Sequence, residues 1–338
     1  MSAMSRLLAV QAVLLALLVA VAAVALFVGS ASLSAARVLD ALTGRAAAGS
    51  IEGVVTLSLR LPRIAVAALA GGGLAVAGVA FQALTRNPLA EPSILGVSSG
   101  AAFGVVVAQL FGLGLSVLDV LGLSVFGFAG ALLAAAVVYL IASGTGGFGV
   151  QTLLLAGVIV GIFFSSAITV VISLVDFNRL GGVIHWLLGN LEPKPGGALA
   201  LFALLAALGF WLVLQRAREL NVLALGEEAA MQLGVDAERL KLRIFLAAAL
   251  LTGTVVAFAG PIGFVGLIVP HTMRMLLGPD NRLLVPTSLI AGAIFLLIAD
   301  TVARNVVAPA ELSVGVITSF CGAPFFVYLL RTRYRAMT

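Results

Sequence analysis

The sequence has almost no charge. Only 10% of its 338 residues are Asp, Glu, Lys or Arg, against roughly 25% in an ordinary soluble domain. A soluble enzyme, a disordered chain and a nucleic-acid-binding domain are excluded on that ground. Lysine is scarcest, with Lys194 and Lys241 alone. Neither follows a glycine, so the Gly-Lys-Ser/Thr signature of a phosphate-binding loop is absent and the chain cannot bind ATP by that motif. The single cysteine, Cys321, rules out an internal disulfide and a cysteine metal cluster. Lying in an apolar run, it reads as a buried packing residue. The histidines, His185 and His271, stand 86 positions apart and make no metal site by themselves. The clustered His, Asp, Glu or Cys of a membrane enzyme are missing too.

What fills the chain is apolar. Hydrophobic residues make up 62% and the mean hydropathy is +1.21. At about 20 residues per bilayer crossing, roughly 210 such residues supply about ten spans. The reading is an all-α polytopic membrane protein of about ten transmembrane helices, a single domain over 1–338. Charges vanish within spans and gather with Pro and Gly between them. That places spans near 6–30, 55–84, 93–111, 117–142, 150–175, 196–216, 239–259, 262–277, 283–303 and 311–331. Residues 120–175 carry no charge yet exceed one crossing, so Ser143-Gly144-Thr145-Gly146-Gly147 must divide them. The uncharged run 7–36 exceeds a signal-peptide core of about 7–15 residues and reads as a retained first helix.

Ten spans put both termini on one side. That side holds 12 basic residues against 7, while the acids divide 7 and 7. Cytoplasmic loops collect Lys and Arg, so the termini are read as cytoplasmic. The net charge of +5 is then a topology signal, not a sign of nucleic acid. Two connections are long enough to form structure of their own: 31–54 outside and 217–238 inside, the latter the most charged segment of the chain. Residues 181–195 read as a short outer helix with His185 and Trp186. Asp176 and Arg179 lie near the same outer vestibule. Gly96, Gly100 and Gly104, like Gly157 and Gly161, recur at a spacing that lets helices approach closely in lipid.

Few residues suggest a motor. Ion-coupled transporters carry ionisable groups at mid-membrane, and these spans have almost none near their centres. Asp300 and Arg304 sit at a helix end, and His271 lies towards the inner end of its span. No channel filter is recognisable. The segment after Gly226 reads as a short helix, Glu227-Glu228-Ala229-Ala230-Met231-Gln232-Leu233, closed by Gly234. Its acids suit a helix N-terminus. Two readings stand: a helix seated in a cleft of a soluble partner, with Ala230, Met231 and Leu233 as its sticky side, or an amphipathic connector on the membrane surface. The outer arginines are equally two-sided. Arg60 and Arg63 share a helix face, with Pro62 suited to a first helical turn. With Arg304 they either attract an acidic partner or anionic substrate or snorkel at the interface.

Longer stretches carry a resemblance. They are Arg60-Leu61-Pro62-Arg63; Gly78-Val79-Ala80-Phe81-Gln82-Ala83-Leu84-Thr85-Arg86-Asn87-Pro88-Leu89-Ala90-Glu91-Pro92; Leu95-Gly96-Val97-Ser98-Ser99-Gly100-Ala101; Leu155-Ala156-Gly157-Val158; and Trp186-Leu187-Leu188-Gly189. They continue with Ala224-Leu225-Gly226-Glu227-Glu228-Ala229-Ala230, then Gly260-Pro261-Ile262-Gly263-Phe264-Val265-Gly266-Leu267-Ile268-Val269-Pro270-His271. Ala299-Asp300-Thr301-Val302-Ala303-Arg304, Glu311-Leu312, Gly315-Val316-Ile317-Thr318 and Gly322-Ala323-Pro324-Phe325-Phe326 close the set. In this order and spacing the chain resembles the permease subunits of bacterial type II ABC importers for iron–siderophores, haem and cobalamin.

The resemblance implies a multi-pass subunit of the bacterial inner membrane that forms half of a homodimeric pore. Two separate ATPase subunits bind ATP and Mg, so this chain carries no cofactor. A periplasmic binding protein delivers the substrate. Gly226, Glu227, Glu228, Ala229, Ala230, Leu233 and Gly234 match the coupling helix that enters the ATPase cleft. Arg60, Arg63 and Arg304 match the docking site for acidic residues of the binding protein. Asn87, Pro88 and Leu89 match the inner gate, which Gln151 and Thr152 join. The substrate implied first is a ferric siderophore, with haem or cobalamin as alternatives. His185 stands either as a haem ligand or as a plain interfacial residue. An ion-coupled secondary transporter is the rival of a different class.

Overall fold

The computed structural model describes residues 3–29, 33–47, 49–112, 122–144, 148–174 and 177–335. Asp176 and part of the break expected at 143–147, residues 145–147, lie outside these, as do the side chains of Arg6, Arg179, Arg333 and Arg335; α6 does end at Ser143 and α7 begins at Val150. Among the described residues there is helix and no strand. The order is α1 (Ala3–Phe27), α2 (Ala35–Leu42), α3 (Ile51–Gly53), a π-helical stretch (Val54–Arg60), α4 (Leu61–Thr85), a 3-10 turn (Pro92–Leu95), α5 (Val97–Leu110) and α6 (Ser124–Ser143). Then come α7 (Val150–Ser173), α8 (Phe177–Leu187), α9 (Gly196–Leu214), α10 (Ala217–Leu223), α11 (Glu227–Gln232), α12 (Ala237–Ala259), α13 (Val265–Leu277), α14 (Asn281–Asn305) and α15 (Val314–Arg335).

Among the described residues, seven helical stretches are long and apolar enough to cross a membrane, and shorter apolar helices at Val97–Leu110, Val265–Leu277 and Val314–Val327 occupy the remaining expected places. The polytopic all-α architecture is therefore as read. One span differs in extent. Instead of starting near 55 with Pro62 in its first turn, the helix runs unbroken over Ile51–Thr85, 35 residues. At 1.5 Å per residue that is about 52 Å, well beyond a 30 Å hydrocarbon core. The π stretch explains how Pro62 is accommodated inside it. Proline donates no hydrogen bond and crowds the carbonyl four residues back. Just ahead of it the backbone is already wound wider, with the Leu61 amide donating to the carbonyl of Thr56, and that widening leaves room for the ring.

The centre of the bundle is α4, packed against α12, α13 and α14. Every residue from Ala70 to Leu84 is buried, as befits a helix that is apolar all round. Glycines bring its neighbours in. A β-carbon on Gly71 would overlap the carbonyl of Gly292 in α14, and one on Gly78 would overlap Gly266 in α13. The same logic holds for the spaced glycines: Gly100 lies against Gly130 and Ala134 of α6, and Gly104 against Phe126.

Between α4 and α5 the chain folds back into the bundle. Gly266 lies against Leu74 and against Pro92, so Pro92 stands level with a point about 10–16 Å up α4 from its end at Thr85. The helices α5 and α13 are consequently half-length, and both begin inside the bundle. Glu91 fastens this turn: its carboxylate accepts a hydrogen bond from the Phe264 amide at 2.7 Å, directly ahead of α13.

Cys321 departs from the reading, because it is exposed. Its helix α15 packs against α13 and α14 along one edge and leaves Phe320 and Val327 open on the other. In a membrane an apolar run need not be buried by its own chain, since lipid or another subunit covers it. Helix α7 behaves likewise: Leu155, Ile162 and Phe163 are all more than 60% exposed.

Candidate functional site: a charge network at one end and a clamped helix at the other

At one end α4 begins, α14 finishes and the sequence-singled arginines meet. Arg63 donates to Asp300 Oδ1 from Nε and Nη2, at 3.0 and 2.9 Å, and from Nη1 to Glu311 Oε2 at 2.8 Å. Arg304, one turn beyond Asp300, donates from Nε to Asp300 Oδ2 at 3.0 Å. Arg60 donates to the carbonyl of Leu26 at 2.6 Å. Asp300 is fully buried and holds two guanidinium groups at once.

The three arginines are thus together, but not as free surface cations. Arg60 and Arg304 are only 5% and 4% exposed. Their guanidinium groups converge on Gly29, where a β-carbon would meet Arg60 at 2.9 Å and Arg304 at 3.3 Å. Between Gly29, Leu59, Arg60, Arg63, Arg304 and Glu311 a cavity of about 190 Å³ opens. Three arginines meet the carboxylates of Asp300 and Glu311 here, and Glu192 lines the adjoining cavity beside Arg63. A second cavity, about 140 Å³, brings His185 beside Arg63, Asp300 and Glu311; Trp186 is buried. Asp300 and Glu311 were the residues missed as site members. The i,i+4 spacing of Asp300 and Arg304 carried a signal for the first; Glu311 stood in a stretch that carries the resemblance, but its sequence neighbours gave no hint of its partner Arg63, 248 positions away.

The other end lies about 35 Å away along α4. Here α11 forms where expected, bounded by Gly226 and Gly234 at φ 116° and 80°, values at which a side chain is strained. The expected sticky side divides. Ala230 is buried in the chain's own fold, whereas Met231 and Leu233 are 60% and 64% exposed. The acids divide too. Glu228 is exposed, but Glu227 is paired with Lys241 at 2.8 Å and lies 3.9 Å from Arg86. Ala229 is half-buried.

The residues expected to form the gate follow Arg86. This residue ends α4 in a left-handed conformation, φ 50°. Asn87 then closes a tight turn, its Oδ1 accepting from the Leu89 amide at 2.9 Å. Asn87 and Leu89 are exposed and Pro88 half-buried. Gln151, exposed, and Thr152, half-buried, open α7. The folded-back segment meets α7 further along, where Gly157 lies against Ile94 and Leu95, and Gly96 against Gly157 and Gly161. An open groove of about 370 Å³ runs there beside Ser93, Ser165 and Thr169. Lys241, Glu91 and the Arg274–Gln82 hydrogen bond of 2.9 Å complete this end. None of them is given a role in the sequence reading, although Gln82 and Glu91 lie in a stretch that carries the resemblance.

The described residues form a multi-pass helical bundle with a charge cluster at each end, and similarity to known proteins assigns its class: its relatives are ABC transporter permeases, which are transport components. The chain belongs to the FecCD transport family, whose pattern it matches over residues 16–332. It is 44% identical to the cobalamin import system permease protein BtuC of Halobacterium salinarum, over 83% of this chain and 74% of that one. It is 38% identical to the ferric enterobactin transport system permease protein FepD of Escherichia coli, over 98% of each. Its fold is similar to a solved structure of an inward-facing metal-chelate type ABC transporter, with a TM-score of 0.81, 33% identity and coverage of 96% of this chain and 99% of that one.

Proposed function

We propose that the chain is the pore-forming permease of an importer that brings a ferric siderophore from the periplasm into the cytoplasm. It works as a homodimer with two ATPase subunits and a periplasmic binding protein, in the bacterial inner membrane with both termini cytoplasmic. The family match across nearly the whole chain carries this reading. The geometry supports it: the exposed acid and apolar side chains of α11 suit a partner cleft, and the cavity lined by Arg60, Arg63 and Arg304 suits an acidic partner at the opposite end. Transport is mechanical. ATP closes the ATPases, α11 moves with them, and the two pore halves rock between outward- and inward-open states. No residue of this chain breaks a covalent bond.

The end-to-end relative named for ferric enterobactin supports an iron chelate as cargo. A corrinoid cargo is the second reading, favoured by the 44% identity to a relative named for cobalamin import. Reconstitution with the cognate ATPase and binding protein in proteoliposomes tests both. ATP-dependent uptake of ferric siderophore, unaffected by excess cobalamin, is the expected result. Uptake of cobalamin alone would replace the cargo. Uptake that persists without ATP hydrolysis and collapses with the ion gradient would refute the importer class.

A further inference from the structure

We propose that Lys241 and Arg86 clamp the short helix α11 to the bundle core, so that Glu227 is an internal strut and Glu228 is the acid left to meet a partner. This rests on the importer reading above and assigns positioning residues to it. The Lys241 side chain is 4% exposed, and its Nζ lies 2.8 Å from Glu227 Oε2. A buried ammonium deprived of its carboxylate is strongly unfavourable, so Glu227 is committed inward. Its other oxygen faces Arg86 Nη2 at 3.9 Å. The start of α11 is thereby tied to α12 and to the end of α4.

The preceding helix is tied as well. Asn221 of α10 donates to Asp280 at 2.6 Å and accepts from the Asn281 amide at 2.8 Å, at the start of α14. The segment 217–234 is therefore fastened to α4, α12 and α14, while Glu228, Met231 and Leu233 face outward. Arg86 is also the first residue of the folded-back segment. That segment is held at Glu91 by the Phe264 amide, and its Ile94–Gly96 portion lies on α7. A force on α11 is passed through the Glu227 pair to the turn at Arg86, and from there to the walls of the groove beside α7. A loose connector would dissipate it.

Two measurements test this, on full-length protein with Cys321→Ser so that a spin label can be placed at Met231→Cys. In the permease alone, the label is expected to be immobile, and to become mobile in Lys241→Met. In the complex with its ATPases, Lys241→Met is expected to keep subunit association but lose about tenfold in substrate moved per ATP hydrolysed. Lys241→Arg, and the exchange Lys241→Glu with Glu227→Lys, should recover most of it. Arg86→Gln should give a smaller loss in the same ratio, and decides the matter if Lys241→Met does not fold. Unchanged label mobility, an unchanged ratio in both variants, or loss of ATPase association without loosening would overturn the clamp. Absence of ATP-driven uptake in the parent protein would refute the importer reading instead, and the label experiment would still judge the clamp.

Discussion

Asp300 shows what a single residue does in this molecule. It is buried to 0% exposure and accepts from two arginines on different helices. Removing one partner of a buried ion pair typically costs about 3–5 kcal/mol, because the remaining charge is stranded. Asp300→Asn should therefore lower the thermal unfolding midpoint sharply in detergent. Glu311→Gln, at the open edge of the network with its side chain 35% exposed, should cost about 1 kcal/mol or less. Asp280 illustrates the opposite regime. The Arg282 fork, with Asn221 behind it, draws its carboxyl from 3.8 down to about 2. A depressed acid stabilises the fold above its unfolded value and stops doing so as pH falls through its folded value. The gap in stability between the parent protein and Asp280→Asn should thus be constant from neutrality to about pH 4 and close towards pH 2. A gap that widened over that interval would contradict the pairing.

At the scale of elements, the folded-back segment and the half-length helices depend on close backbone approach. Gly78→Ala, which sets a methyl against the Gly266 carbonyl, should destabilise by about 1–3 kcal/mol. Gly196→Ala, with nothing within 4 Å of the added carbon, should leave the midpoint where it is. The ten apolar stretches were legible because charge disappears wherever the chain enters lipid, and α11 was legible because Gly226 and Gly234 punctuate it. The half-helices were not. An apolar run has the same composition whether it crosses fully or turns back halfway, and the deciding contact, Glu91 to Phe264, joins residues 173 positions apart. The inward commitment of Glu227 was hidden for the same reason. Its acidity marked a helix N-terminus, but only the fold reveals that Lys241 waits beneath it.

For the whole molecule, the placement of charge at two ends sets what can be measured. Arg60, Arg63 and Arg304 hold the fold together, so replacing them would confound the proposed docking with stability. Salt is the cleaner probe. Association with the proposed binding protein should weaken as ionic strength rises from about 0.05 to 0.5 M, because the Debye length falls from about 14 to about 4 Å over that range. Association indifferent to salt would argue against an electrostatic dock. The scarcity of lysine has a practical outcome of its own. The chain offers side-chain amines at Lys194 and Lys241 alone, and Lys241 is sealed beneath α11. An amine-acylating reagent read by mass spectrometry can modify that site only while α11 is lifted. The untouched protein therefore carries its own recorder of how often, and with which nucleotide on its partners, the helix leaves its seat.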